Sequence, residues 1–411
     1  MLESIVKYIQ LHNNLFWTIV GSILGYFIPK VFDYVNVLFG RKYREFKQKK
    51  ISNSLDFLEK EINVEILNTG NEPYRSNAIN IIETGNSFYL PVPDDILLKL
   101  QEKYKSDSIE FFEFFEIHEQ ILFDNETTID KLSKKTGIEN LEQLIDEARY
   151  EVAYEFLNSK NGLYFNASKY GVWNIDFTSK FGKGETRHLS LELFNTDYYT
   201  HKVMQNVYSK IYKKYKIDED ITPEKLHKYN IFLTSFGVNA LLLLKDKKMG
   251  DICVFAERSI LASGTDKSNI YHITMNEGLN QDDKDAIDGK IRLSNCLERG
   301  LWEELGLNND YYAQDMTADF HDLFLVKDKF QLGISVSVFI KDMSFNDLYA
   351  QAEIAKDKKL EIGKLKPIIF DKKHIEKFFT ENSFTSYSRF IVSRICFHKG
   401  IFIDFEKIIK K

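Results

Sequence analysis

The sequence predicts a mixed α/β (α+β) chain in three parts. A single N-terminal transmembrane helix comes first, a mixed, mostly helical middle domain second, and a C-terminal α/β/α sandwich last. Three observations predict it. Residues 8–29 carry no formal charge and are apolar at their centre. Residues 70–160 mix charged and apolar positions at helical spacing. Residues 231–345 run strand, strand, strand, helix, strand, strand. The boundaries fall at 1–40 for the anchor, 41–230 for the middle region and 231–411 for the last domain with its C-terminal helices.

The anchor rests on residues 15–28, which are almost wholly apolar. A spanning helix needs roughly 20 residues, so Gln10, His12, Asn13 and Asn14 would enter the headgroup region. Trp17 and Tyr26 suit the two interfaces, and Gly21 with Gly25 forms a GxxxG pair that lets helices approach closely in lipid. No small-x-small cleavage site follows, which argues against a secretory signal. A core helix or a helix lying on the membrane surface is the alternative. The basic run 41–50 belongs on the cytoplasmic side by the positive-inside rule and can touch anionic membrane lipid.

With 411 residues, 44% of them hydrophobic, the chain can bury a large core and build two domains beyond the anchor. Its net charge is −6, and positive charge is not concentrated outside the run at 41–50, so nothing supports duplex nucleic-acid binding. Six prolines argue for ordered domains rather than long linkers. Cys253, Cys296 and Cys396 are odd in number and widely spaced, suggesting neither a disulfide framework nor a zinc site.

In the middle region, helices are expected over 95–101, 110–122 and 141–157, with a capped helix start at Asp124–Thr128. Strand alternation follows at 171–177 and 188–194. The glycine-rich stretch 180–187 between them can cradle phosphate through backbone N–H groups or serve as an ordinary hairpin turn. Residues 195–201 then read Asn-Thr-Asp-Tyr-Tyr-Thr-His and lead into an amphipathic helix. Tyr198 and Tyr199 can stack on a base and ribose. Equally, Thr196 or Asp197 caps the following helix.

In the last domain, strands are expected at 238–244, 251–258, 271–275, 322–326 and 333–340, with a helix ending in Arg299-Gly-Leu-Trp-Glu-Glu-Leu-Gly-Leu307. Leu293, Cys296, Leu297, Gly300 and Leu301 share one face of that helix, and Glu304 falls in its middle, where a carboxylate needs a partner. Glu303 and Glu304 sit in a last turn, disfavoured by the helix dipole. Gly300 costs about 1 kcal/mol relative to alanine, so it marks close packing or close approach of a ligand. Arg299 and Glu303 are i, i+4 and can pair.

This motif resembles the end of the Nudix box, the helix that holds metal-bound diphosphates in Nudix hydrolases. Arg299, Leu301, Glu303, Glu304, Gly306 and Leu307 match the family pattern. Gly300 replaces a glutamate, while Ile291 and Asp285 stand where the pattern has an upstream glutamate and glycine. The resemblance covers roughly 110 residues and implies a Nudix-like α/β/α sandwich. It implies Glu303 and Glu304 as metal ligands, with Mg²⁺ as the ion if activity is kept, and Glu277 or Glu298 in place of the lost carboxylate. Arg258, Glu277, Arg292 and Arg299, with Tyr198 and Tyr199, are the expected ligand-binding residues. No catalytic residue is assigned, because loss of the carboxylate at 300 favours binding over turnover.

Anchor, extra domain and altered box together resemble the membrane-bound SMODS-associated Nudix proteins, effectors of the cyclic-oligonucleotide antiphage system CBASS. That resemblance implies a single-pass protein of the bacterial inner membrane with a cytoplasmic C-terminal domain. Its partner would be a cyclic oligonucleotide second messenger. Binding would drive homo-oligomerisation, disrupt the membrane and kill the infected cell. The alternatives are a membrane-tethered Nudix hydrolase cleaving a nucleoside diphosphate derivative with Mg²⁺, and a scaffold that uses neither ligand nor metal.

Overall fold

Successive residues of a strand point to opposite faces, and two neighbouring strands show the consequence. Leu241, Leu243, Cys253 and Phe255 enter one apolar cluster, while Leu242, Leu244, Val254 and Ala256 enter another. Burial on both faces requires such continuous apolar runs. The computed structural model describes residues 59–408 except 60, 68–72, 75–78, 104–118, 125, 159–165, 179–187, 260–269, 309–315, 357–361, 386 and 405–407.

The first half of this region contains β1 (Val64–Ile66), β2 (Ile79–Tyr89), α1 (Asp94–Lys103), β3 (Ile121–Phe123), α2 (Ile129–Thr136) and α3 (Leu141–Asn158). Then come β4 (Ser168–Thr178), β5 (His188–Asp197), α4 (Tyr198–Ile211) and α5 (Pro223–Lys228). The second half runs β6 (Phe236–Asp246), β7 (Gly250–Arg258), β8 (Ile270–His272), β9 (Met275–Gly278), α6 (Leu293–Leu305), β10 (Met316–Val326) and β11 (Gln331–Ile340). It closes with α7 (Phe345–Ala352), β12 (Ile362–Ile369), α8 (Lys372–Glu381), β13 (Ser383–Phe384) and α9 (Ser388–His398).

The larger sheet has nine strands in the order β1-β10-β11-β6-β7-β8-β13, with β12 added to β7 and β9 to β6. At its centre β11 and β6 run parallel in register, Ile334 opposite Val238 and Val338 opposite Leu242. The smaller sheet has the order β3-β2-β5-β4, again with a parallel central pair, β2 and β5. One cluster takes in α3, α4 and α6 with residues of both sheets; α8 and α9 pack in the other.

Three expectations are corrected. No helix among the described residues is long and apolar enough to cross a membrane. The longest, α3, has 18 residues but carries Glu142, Asp146, Glu147, Arg149, Glu151 and Glu155, charges too costly for a lipid interior. The stretch 15–28 that prompted the transmembrane expectation lies outside the described residues, as do the basic run 41–50 and the loop 180–187. The expected inner-membrane location is set aside with the span. Second, the middle region carries a four-stranded sheet alongside its helices rather than only the strand pair expected at 171–177 and 188–194, because β2 takes its parallel partner β5 from about a hundred residues downstream. Third, the larger sheet exceeds the expected five strands: 271–275 divides into β8 and β9, which pair with β7 and β6 respectively, and β1, β12 and β13 extend it.

A buried charged centre lies where β10 meets α9. The β10–β11 register slips between Phe320 and Leu323, a bulge that places His321 and Asp322 against Ser335 and Ser337. Asp322 accepts from Arg394 at 3.0 and 3.1 Å and lies 2.8 Å from His398 Nε2. Burial alone would raise its pKa, but the hydrogen bond from His398 and the charge of Arg394 hold it at about 2. His321 stacks on His398 at 4.6 Å; burial, aided by the charge of His398, lowers its pKa to about 3. Burial likewise lowers His201, on α4, to about 3, and its Nδ1 lies 2.9 Å from Thr234 Oγ1.

Folding therefore favours neutral rings at His201 and His321 and an ionised carboxylate at Asp322. The rings' contribution is complete above their ordinary value of 6.5 and is lost as the pH falls toward about 3. The carboxylate's contribution is complete above 3.8 and is lost as the pH falls through about 2. Urea unfolding should show stability declining below about pH 6.5 and more steeply below about pH 4. Replacing His321 with Gln should flatten the upper part of that decline. Stability independent of pH between about 7 and 4 would contradict the assignment.

Candidate functional site

The site forms where α6 lies against β9. β9 pairs antiparallel with β6, Met275 opposite Ala240 and Gly278 opposite Gly237. α6 buries Leu293, Cys296, Leu297, Gly300, Leu301, Glu304 and Leu305. It ends at Gly306, whose φ of 68° is the left-handed conformation that glycine adopts without strain. A Cβ there would stand 2.4 Å from the Gln351 carbonyl oxygen, so the same glycine admits α7.

Gly300 is where helix and strand come closest. A Cβ at this position would lie 2.8 Å from Met275 Sδ and 2.9 Å from Glu277 Cβ. The space that a glutamate would need is taken by β9. Close packing, one of the two readings open for this glycine, is what the structure contains.

Arg299, one residue earlier, is the hub. Its Nε donates to Asp283 Oδ1 at 2.9 Å and its Nη2 to Asp283 Oδ2 at 3.0 Å and to the Gly278 carbonyl at 2.8 Å. Its Nη1 faces Glu277 Oε1 at 2.9 Å and Glu303 Oε2 at 3.3 Å. Such bidentate, charge-assisted pairing fixes geometry as well as charge. Asp283 is positioned by a capping box: it accepts from the Asn280 amide at 2.9 Å while Asn280 caps the turn Gln281–Asp283. Glu303 also meets Lys356 at 3.0 Å. Burial raises the Glu277 carboxyl above its usual range, and the charge of Arg299 opposes the shift. Glu277 also accepts from the Gly278 amide at 3.0 Å.

Glu304, 3% exposed, accepts from the Asn276 amide at 3.3 Å. The partner its apolar surroundings demanded includes a strand backbone. Of the other expected ligand residues, Arg292 pairs with Asp285 and, at 2.8 Å, with Asp288 at the opposite end of α6. Arg258 is exposed at the end of β7. Tyr199 is buried, with its hydroxyl donating to the Arg149 carbonyl at 2.8 Å. Tyr198 stands nearer the box, with Lys169 Nζ 5.5 Å from its ring centre. The structure thus gathers Glu277, Arg299 and Glu303, and places Tyr198 on the Lys169 side of that group. Arg258, Arg292 and Tyr199 have other surroundings.

Mg²⁺, the ion implied by the Nudix resemblance, needs several oxygen ligands converging on one point. Gly300 offers no side chain, both oxygens of Glu303 are in ion pairs, and Glu304 points to the Asn276 amide. Among the described residues no group of three or more His, Cys, Asp or Glu side chains could hold a metal ion. The donor set does not fit a divalent cation. No protein-family model matches the chain, and no curated protein matches it.

Asp283 belongs to the site as one of the acidic loop Asp282, Asp283, Asp285 and Asp288 that precedes the box in the sequence, while Lys356 and Lys169 belong to it without having been singled out from sequence. The Asn280-x-x-Asp283 spacing is a readable capping signal. Lys356 and Lys169 come from other elements and leave no local signal.

Gly300→Glu should destabilise the protein by about 1–3 kcal/mol through overpacking and leave calorimetric Mg²⁺ titrations flat. A stable variant that gains Mg²⁺ affinity would contradict the packing account. Arg299→Met takes the cation from Glu277 and Asp283, while Glu303 keeps Lys356, and should cost about 3 kcal/mol in urea unfolding; an unchanged midpoint would show that the hub is not held by charge.

Proposed function

We propose that the chain is a nucleotide-sensing effector whose box-bearing face binds a cyclic oligonucleotide without hydrolysing it. Binding drives self-association of the chain as part of an antiphage response of the CBASS type. The observation that carries the reading is the contact of Gly300 with Met275 and Glu277. Diphosphate hydrolysis in a Nudix-type site depends on a hard cation that polarises phosphate oxygens. Here the space for one carboxylate is filled by a strand, and the remaining carboxylates neutralise Arg299 and Lys356. The Nudix resemblance supplies the expectation of a nucleotide at this face, and the arrangement lacks the means to activate water through a metal. The cyclic nature of the ligand and the antiphage setting rest on the family resemblance.

Titration of the full chain with a panel of cyclic dinucleotides and trinucleotides, by calorimetry, tests the reading. One member should bind equally well with Mg²⁺ or with a chelator, be recovered intact, and shift the protein to a larger species in sedimentation. Metal-dependent cleavage abolished by Glu304→Gln would replace the sensor with a hydrolase. Failure of the whole panel to bind would leave a scaffold.

A further inference from the structure

Lys169, on β4, reaches the box from the smaller sheet. Its backbone is fastened there: the Lys169 carbonyl accepts from Gln281 Nε2 at 3.3 Å, and the Tyr170 amide donates to the Leu279 carbonyl at 3.2 Å. Its side chain runs over Gly278, where a Cβ would stand 2.8 Å from Nζ. The ammonium ends 5.5 Å from the centre of the Tyr198 ring, a cation–π distance.

Among the described residues, this ammonium makes neither a hydrogen bond nor a salt bridge. Of the nearby carboxylates, Asp283 is committed to Arg299 and the Asn280 amide, and Glu277 gives its Oε1 to Arg299 and the Gly278 amide. Burial lowers the Lys169 ammonium from its usual value, with Arg299 adding to the effect and Glu277 opposing it. Lys169 is half-buried, and partial removal of a cation from water without a hydrogen-bonded partner is unfavourable. Arg299 at the same site shows that the chain can surround a cation with carboxylates.

We infer that Lys169 is the cation that receives a phosphate group of the bound nucleotide, with the Tyr198 ring orienting its ammonium over Gly278. The inference rests on the nucleotide-sensing reading and gives that face its phosphate contact. Arg299 is saturated by protein carboxylates and plays no part in the contact. Inorganic pyrophosphate carries the same recognition chemistry without base or ribose.

The test titrates the full chain and three variants, Lys169→Met, Lys169→Arg and Gly278→Ala, with inorganic pyrophosphate and with cyclic di-AMP. Wild type should bind pyrophosphate, and Lys169→Met should weaken binding about tenfold or more. Lys169→Arg should retain most of it. Gly278→Ala should weaken binding at unchanged charge, because its Cβ displaces the ammonium. The melting temperature of Lys169→Met should be unchanged or about 2 °C higher, since an unpaired cation is removed. A fall of several degrees would assign the ammonium to holding Glu277 and overturn the inference. Cyclic di-AMP binding that is equal in wild type and Lys169→Met would overturn it while sparing the sensor reading. Lys169-dependent binding of pyrophosphate with no binding of any cyclic oligonucleotide would keep the anion contact and remove the sensor. Wild type binding neither probe overturns the inference.

Discussion

The approach of α6 to β9 at Gly300 is the constraint on which the rest of the site depends. Interiors are packed like crystals, so a glycine facing Met275 and Glu277 sets the helix–strand distance to within a fraction of an ångström. At that distance the preceding residue, Arg299, reaches Glu277 on the strand and Asp283 in the turn after it. Glu304, four residues after Gly300, reaches the Asn276 amide. One missing side chain therefore decides where four ionisable groups go. A glutamate at 300 would have to push β9 away and break the arginine's contacts with it.

A second charged centre lies in the other apolar layer, and it is built by the same rule. Asp322 is held by Arg394 and His398 from α9, as Asp283 is held by Arg299 from α6. In both, an arginine on a helix meets a carboxylate contributed by an irregular piece of chain, a bulge in β10 or a capped turn after β9. Buried ion pairs of this kind add little net stability compared with apolar packing, but breaking one partner is costly. They fix register: a one-residue slip of β10 would turn Asp322 away from α9. The two centres differ in what remains over. Around Asp322 the carboxylate is shared by two donors; beside Asp283 a third cation, Lys169, stands with no carboxylate of its own.

Much of this was legible in the sequence where the cause is local. The strands at 236–246 and 250–258 follow from unbroken apolar runs, and α6 follows from its apolar face and terminal glycine. The helix-cap reading of Asp197 has its counterpart in a bond from the Thr200 amide at 2.7 Å, and the i, i+4 spacing of Arg299 and Glu303 in their 3.3 Å contact. What was not legible depends on pairing across the chain. Ile79–Tyr89 reads weakly as a strand because Gly85 interrupts it, and pairing with β5 and β3 makes it one. Lys169 looks like any lysine on a strand until two sheets are placed side by side.

The join between the two sheets is where recognition acquires a consequence. Gln281 Nε2 is shared among Tyr89 Oη at 3.2 Å and the carbonyls of Lys169 and Thr196 at 3.3 Å each. An amide nitrogen has two hydrogens, so three acceptors at these distances are each held weakly. The stronger tie is the Tyr170 amide on Leu279. β4 is therefore positioned against the box by a few backbone bonds and one divided side chain, and Lys169 is the residue at that seam. A phosphate drawn to its ammonium would load the smaller sheet and the turn Gln281–Asp283 together. That turn carries Asp283, and Asp283 holds Arg299. Lys169 is thus one residue contact from Gln281, whose turn carries the Asp283 that holds Arg299.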